Sequence, residues 1–233
     1  MQQSELSHID AFIKALHHLS LQTRKAYQRD LGNFREYCET RNVESWRDID
    51  GHQIRGFVTQ RHRQGIGGRS LQRNLSAIRS FYRYLIKINA ASNNPAQGIV
   101  TPKTAKKLPN TLDVDQSTQL VEIKGDDILS LRDKAIFELM YSCGLRLSEL
   151  VSLNLSNIDL GDAVITVTGK GNKTRMLPVG QHALQALQIW LKQRVILADN
   201  DETALFVSKR GSRISQRSIQ QRLRHWSKKQ GLG

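Results

Sequence analysis

Apolar residues recur every three or four positions through the first ninety residues of the chain. Ile9, Phe12, Ile13 and Leu16 fall on one helical face. Ser20 and Thr23 stand where a second helix would be capped, and within it Tyr27, Leu31, Phe34 and Tyr37 repeat at helical spacing. Ile54, Phe57 and Val58 mark a third helix that opens after Asp50, and Leu71, Leu75, Ile78, Leu85 and Ile86 mark a fourth. The pattern predicts a four-helix domain over residues 1–91.

The periodicity stops in ASNNPAQGIVTPKTAKKLPNTL, which contains Pro95, Pro102 and Pro109 and reads as a linker over residues 92–112. Helical spacing returns near residues 115–122 and 130–143. There Ile136, Leu139, Met140 and Cys143 form the buried stripe, and Gly144 is a natural C-terminal cap. Tyr141, beside Leu139 and Met140, is expected in the apolar packing. The segment AVITVTGKGNKTRMLPV, residues 163–179, alternates instead with a period of two and is broken at Gly169 and Gly171. It predicts a β-hairpin with Lys170 near its tip. Residues 183–197 and 215–226 are helical again. The expected fold is therefore mainly α: a helical domain, a linker, and an α+β domain over residues 113–233 with a small β-sheet.

Composition narrows the functional classes. No apolar run approaches the length of a membrane span, and MQQSELSHIDAF lacks a secretory pattern. Cys38 and Cys143 are the only cysteines, which suits a reducing cytoplasm and argues against a disulfide framework. The net charge of +14 is unevenly placed. Gly51 to Leu112 holds eleven Lys and Arg, and Thr203 to Gly233 holds eight more, with no Asp or Glu in either block. Blocks of one sign point to surfaces that face a polyanion. A membrane surface fits less well, because no bulky Trp/Phe face accompanies the charge. On the fourth helix Arg69, Arg73, Arg79 and Arg83 alternate with the apolar stripe, and Lys103, Lys106 and Lys107 continue the basic run into the linker. These seven are the candidate DNA-binding residues. Tyr82 and Tyr84 fit either stacking on nucleic acid or core packing.

Two residues are candidates for chemistry. In YSCGLRLSELVSL an always-charged arginine, Arg146, stands between two apolar helical segments. It needs a partner, either an internal carboxylate such as Glu149 or an anion from outside. Lys170 on the hairpin tip is placed to converge on the same anion. Arginine suits a phosphoryl group through its planar fork, and lysine is a compact, transferable charge. The GKG of the hairpin lacks the spacing of a phosphate-binding Walker loop. Residues alone thus indicate a two-domain nucleic-acid-binding protein, with action on phosphodiesters and a structural Arg146–Glu149 ion pair both open as readings of the site.

CGLRLSELVSLNLSNIDL followed by VTGKGNKTRMLPVG resembles the tyrosine recombinase (phage integrase-like) family, within it the Xer recombinases. The resemblance runs along essentially the whole chain. It implies an N-terminal four-helix, SAM-like core-binding domain and a catalytic domain that clamp duplex DNA. It implies strand cleavage by a tyrosine, a 3′-phosphotyrosyl intermediate and exchange through a Holliday junction, without metal or nucleotide cofactor. Arg146 matches the arginine that contacts the scissile phosphate, and Lys170 the general acid for the leaving 5′-oxygen. Implied partners are a duplex recombination site, a XerD-like partner recombinase in a heterotetramer, and a DNA translocase that activates the complex. The implied role is resolution of chromosome dimers at cell division.

The family pattern continues with a HxLRH box and a nucleophilic tyrosine, and neither is present. The five tyrosines are Tyr27, Tyr37, Tyr82, Tyr84 and Tyr141, and none follows Arg146. The string His52 to Arg55 lies in the first domain and reads as coincidence. The expectation is a truncated catalytic domain that binds DNA without a nucleophile. The alternatives are a non-catalytic fragment that occupies a recombination half-site and, from another class, a basic helical RNA-binding module.

Overall fold

The structure, a computed structural model, describes residues 3–101, 111–169 and 171–232. Lys103, Lys106, Lys107 and Lys170 lie outside them. The chain divides into two compact units, Met1–Leu108 and Pro109–Gly233.

The first unit is built from four helices: α1 (Gln3–Ala15), α2 (Leu21–Glu39), α3 (Gly51–Arg63) and α4 (Gly68–Lys87). The starts of α2 and α3 are set by side chains that satisfy free backbone N–H groups. The Ser20 hydroxyl accepts from the Thr23 amide at 3.2 Å. Asp50 and Gln53 form a reciprocal capping box, with bonds of 2.9 and 2.7 Å. The apolar stripes meet in a core that includes Phe12, Leu31, Phe34, Ile54, Phe57, Leu71, Ile78 and Phe81. Trp46, fully buried between α2 and α3, organises one end. Its indole N–H donates to the Glu5 carbonyl at 2.8 Å, and its own carbonyl accepts from the Tyr82 hydroxyl at 2.9 Å. Tyr82 is therefore a core residue, and the Tyr84 ring packs 5.6 Å from that of Phe12. Gly56, in the middle of α3, is a site of close approach. A Cβ there would meet the Tyr37 hydroxyl at 2.4 Å.

The first part of the segment read as linker belongs to this unit. Ala91, Ala96 and Ile99 are buried in its core, and Asn94 donates to the Arg79 carbonyl at 3.2 Å.

The second unit contains α5 (Val114–Val121), α6 (Ile128–Cys143), α7 (Leu147–Ser152), β1 (Ile158–Asp159), β2 (Val164–Thr168), β3 (Thr174–Pro178), α8 (Gln181–Leu197) and α9 (Gln216–Lys229). The strands form one antiparallel sheet in the order β1-β2-β3, with Val167 opposite Arg175 and Thr168 opposite Thr174. Ile165 and Val167 of β2 are buried against a core shared with Leu139, Leu150, Leu187, Trp190 and Phe206. Asp133 near the start of α6 is wholly buried and ties α9 in place. It accepts from Arg132 at 2.7 Å, from the Trp226 indole at 2.9 Å and from Arg222. No helix among the described residues is long and apolar enough to cross a membrane.

Candidate functional site

Gly144 sets the position of Arg146. It closes α6 in the left-handed region at φ 58°, with its amide bonded to the Met140 carbonyl at 3.0 Å. Glycine takes this conformation without a Cβ penalty, so the chain turns sharply and starts a new helix at Leu147. Leu145 is buried by the turn, and Arg146 becomes the residue that precedes α7.

The buried member of this pair is not the arginine. Glu149 is 3% exposed and Arg146 is 73% exposed, so the cation between two apolar segments projects outward. The Glu149 carboxylate accepts from the Arg146 amide at 2.9 Å and from the Arg146 guanidinium at 3.0 Å. Its second partner is Arg175 of β3, which donates a two-toothed fork at 3.0 and 2.9 Å. Two guanidiniums thus share one carboxylate, and the cluster keeps one net positive charge. Arg146 is held at one nitrogen, and its remaining N–H groups are free for a second acceptor.

The hairpin passes directly over this cluster. A Cβ on Gly169 would meet Glu149 Oε1 and Arg175 Nη1, each at 3.2 Å. A side chain there would crowd the ion pair and push its ends aside by a few tenths of an ångström. The Gly169 amide donates to the Lys173 carbonyl at 2.8 Å and closes the hairpin, while Gly171 and Asn172 take positive φ values in its turn.

The fork from Arg175, the Arg146 amide and the Arg146 side chain together hold the Glu149 carboxyl down from its ordinary 4.5 to about 2. The same pairing raises Arg175. A depressed carboxyl binds its proton more weakly in the folded chain than in the unfolded one. Its stabilisation is complete above pH 4.5 and is lost as pH falls toward 2. In Glu149→Gln this component of acid unfolding is expected to vanish, giving a flatter stability profile on the acid side by denaturant melts. An unchanged acid slope would show that the cluster does not govern acid stability.

The four arginines of α4 separate into two pairs. Arg69 and Arg83 are exposed. Arg73 donates twice to the buried Asp30, at 2.7 and 3.1 Å, and Arg79 donates to the carbonyls of Ala96 and Ile99. All four sit off the apolar stripe, yet two are committed to partners within the unit. Removing Arg73 would leave a buried carboxylate unpaired, so the four are not equivalent surface cations. Tyr141 is 55% exposed rather than packed in the core.

Arg175 was missed in the sequence, although a signal was present. It alternates with Met176 and shares the half-buried face of β3 with Leu177. A cation on an inward-facing strand position demands a carboxylate.

The comparisons with known proteins agree with this architecture. Residues 110–233 match the phage integrase family model, and residues 9–89 match the phage integrase N-terminal SAM-like domain. The chain belongs to the phage integrase family. It is 46% identical over 221 residues to the tyrosine recombinase XerC of Pseudomonas syringae pv. syringae (strain B728a), an alignment that covers 93% of this chain and 74% of that protein. It is also 46% identical over 217 residues to XerC of Alcanivorax borkumensis, covering 92% and 70%. Among solved structures, the XerH site-specific recombinase bound to its difH substrate matches with a TM-score of 0.70 at 21% identity, covering 97% of this chain and 67% of that one. A lambda integrase dimer bound to a COC′ core site matches with a TM-score of 0.73 at 18% identity, covering 97% and 81%. These two likenesses establish the fold.

Proposed function

We propose that this chain binds duplex DNA as a site-specific tyrosine recombinase of the XerC type, in a reaction that cuts and rejoins strands. The observation that carries the reading is the Arg146 guanidinium, anchored through the buried Glu149 yet open to solvent. Such a group is pre-organised for a phosphate oxygen, and fixed donors aimed at developing charge are worth most in catalysis. In this scheme Arg146 stabilises charge on the scissile phosphate, and Lys170 protonates the departing 5′-oxygen. Arg69, Arg83, Lys103, Lys106 and Lys107 meet the DNA backbone, with Arg73 and Arg79 adding what their internal bonds leave exposed. Both units contact the duplex, and a XerD-like recombinase completes the assembly, activated by a DNA translocase. Resolution of chromosome dimers at cell division, in the cytoplasm, is the process this chemistry serves. The free thiols of Cys38 and Cys143 are compatible with a reducing compartment.

Four of the five tyrosines are packed within the first unit, and none of the five follows Arg146 in the sequence, where the family pattern places its nucleophile. Tyr37 and Tyr82 are buried in the first unit, where Tyr27 and Tyr84 are packed against the core. Tyr141 lies on α6, before the Gly144 turn. A nicked suicide duplex incubated with the 233-residue chain is therefore expected to trap no covalent adduct. Fusing a relative's segment that carries the HxLRH box and tyrosine is expected to produce one. Arg146→Ala in the fusion should slow adduct formation by about 10²–10³, the effect of losing one such donor. An adduct on any of the five tyrosines would overturn the assignment of the nucleophile. A fusion indifferent to Arg146→Ala would overturn the role given to the arginine.

A further inference from the structure

The arginines of this chain are handled in three ways. Some are matched to a buried carboxylate: Arg73 to Asp30, Arg132 and Arg222 to Asp133, and Arg146 and Arg175 to Glu149. Others are spent on backbone carbonyls, as Arg47 is on those of Ala90 and Asn89 and Arg194 on that of Ala204. A third group receives neither, and three of its members line one groove.

A groove of about 530 Å³ runs along the outer side of α3, lined by Arg41, His52, Arg55, Thr59, Gln60 and Arg63. No carboxylate lines it, and none of its lining residues comes from α4. Arg55 and Arg63 are exposed, and neither has an ion pair among the described residues. Arg41 is held in place without an acid. Its guanidinium lies 3.8 Å from the centre of the Tyr37 ring and donates to the Gln60 side chain at 3.3 Å. The Tyr37 hydroxyl in turn occupies the space that Gly56 leaves open on α3. Asp50, which caps α3, interacts with His52 and Arg55 at one end of the groove; the lining itself carries three arginines and no carboxylate, a surface that favours an incoming anion. Thr59 and Gln60 add neutral hydrogen-bonding groups between the charges.

We infer that this α3 groove is a second phosphodiester-binding surface of the first unit, separate from the arginines of α4, and that it grips the backbone of duplex DNA. The planar forks of Arg41, Arg55 and Arg63 suit phosphate oxygens. The groove lining holds no exposed aromatic ring, so base stacking is no part of the grip. His52 and Arg55, whose spacing resembles a fragment of a catalytic box, act here as part of a binding surface. The inference rests on the duplex-binding reading given above, and the experiment separates the two.

Binding of the full chain to a 30-base-pair duplex is measured across a KCl series, for the parent, Arg55→Gln/Arg63→Gln and Arg55→Lys/Arg63→Lys. Each phosphate contact contributes about 0.9 to the log–log salt slope. The glutamine variant is expected to lose about two units of slope and to bind about 30-fold more weakly near 0.15 M salt, with its thermal unfolding unchanged. The lysine variant restores the slope, because charge and not the exact side chain sets it. A parent that binds with a steep slope, beside a glutamine variant of equal slope, overturns the groove and leaves the duplex-binding reading standing. A parent with no salt dependence overturns both. If the glutamine variant loses binding to poly-glutamate while its duplex binding is unchanged, the groove serves an acidic protein partner and the nucleic-acid assignment falls.

Discussion

Raising KCl from about 50 to about 200 mM is expected to weaken binding of this chain to duplex DNA by about 10³-fold, the effect of neutralising roughly six phosphates with a log–log slope near −5. Not every cation in the two acid-free blocks is available for this. Arg73 and Arg79 are bonded within the first unit. In the second unit Arg213 donates to the carbonyls of Val151 and Leu153, and Arg222 is held by Asp133. The exposed remainder still includes Arg55, Arg63, Arg69, Arg83 and Lys87 in the first block, and Lys209, Arg210, Arg217, Arg224, Lys228 and Lys229 in the second. That set is ample for six contacts. A titration that gave a slope near zero would remove the electrostatic basis for binding. Substituting the internally bonded arginines should change stability more than slope, which separates them from the exposed ones in the same experiment.

Asp133→Ala is expected to destabilise the second unit by about 4 kcal/mol, a factor of roughly 10³ in its folding equilibrium. Asp133 is 0% exposed and neutralises Arg132, whose side chain is itself only 5% exposed. Without it a buried guanidinium keeps one bond to the Val207 carbonyl and no counter-charge. The Trp226 indole loses its acceptor, and with it α9 loses its anchor to α6. Hydrogen exchange resolved by segment would show early opening of α9 and α6, with α1 to α4 as protected as in the parent. Protection of α9 equal to the parent would mean that apolar packing of Ile219 and Trp226 suffices.

The elements readable in the sequence were those with a local cause. Ser20, Asp50 and Gly144 each mark a helix boundary through bonds made within a few residues, and the hairpin follows from alternation and two glycines. β1 was not readable, because two residues cannot display a period. The site was legible as motifs but not as geometry. Helical spacing places Arg73 on the polar side of α4. It does not reveal that Asp30, forty-three positions earlier, stands across from it. The exposure of Arg146 was likewise hidden. Its neighbours in sequence are apolar, while the carboxylate that holds it is satisfied largely by Arg175, which is twenty-six positions from Glu149. Residues 92–99 looked like linker by composition, yet Ala96 and Ile99 find apolar partners in the first unit.

The depressed Glu149 carboxyl has a consequence for kinetics. Its proton leaves near pH 2, below the range in which enzymes are assayed. The Glu149 carboxyl therefore adds no titration step in that range. On the reading that Arg146 meets a scissile phosphate, a bend in the pH–rate profile reports a proton held elsewhere, on the group that attacks or on the group that releases the leaving oxygen.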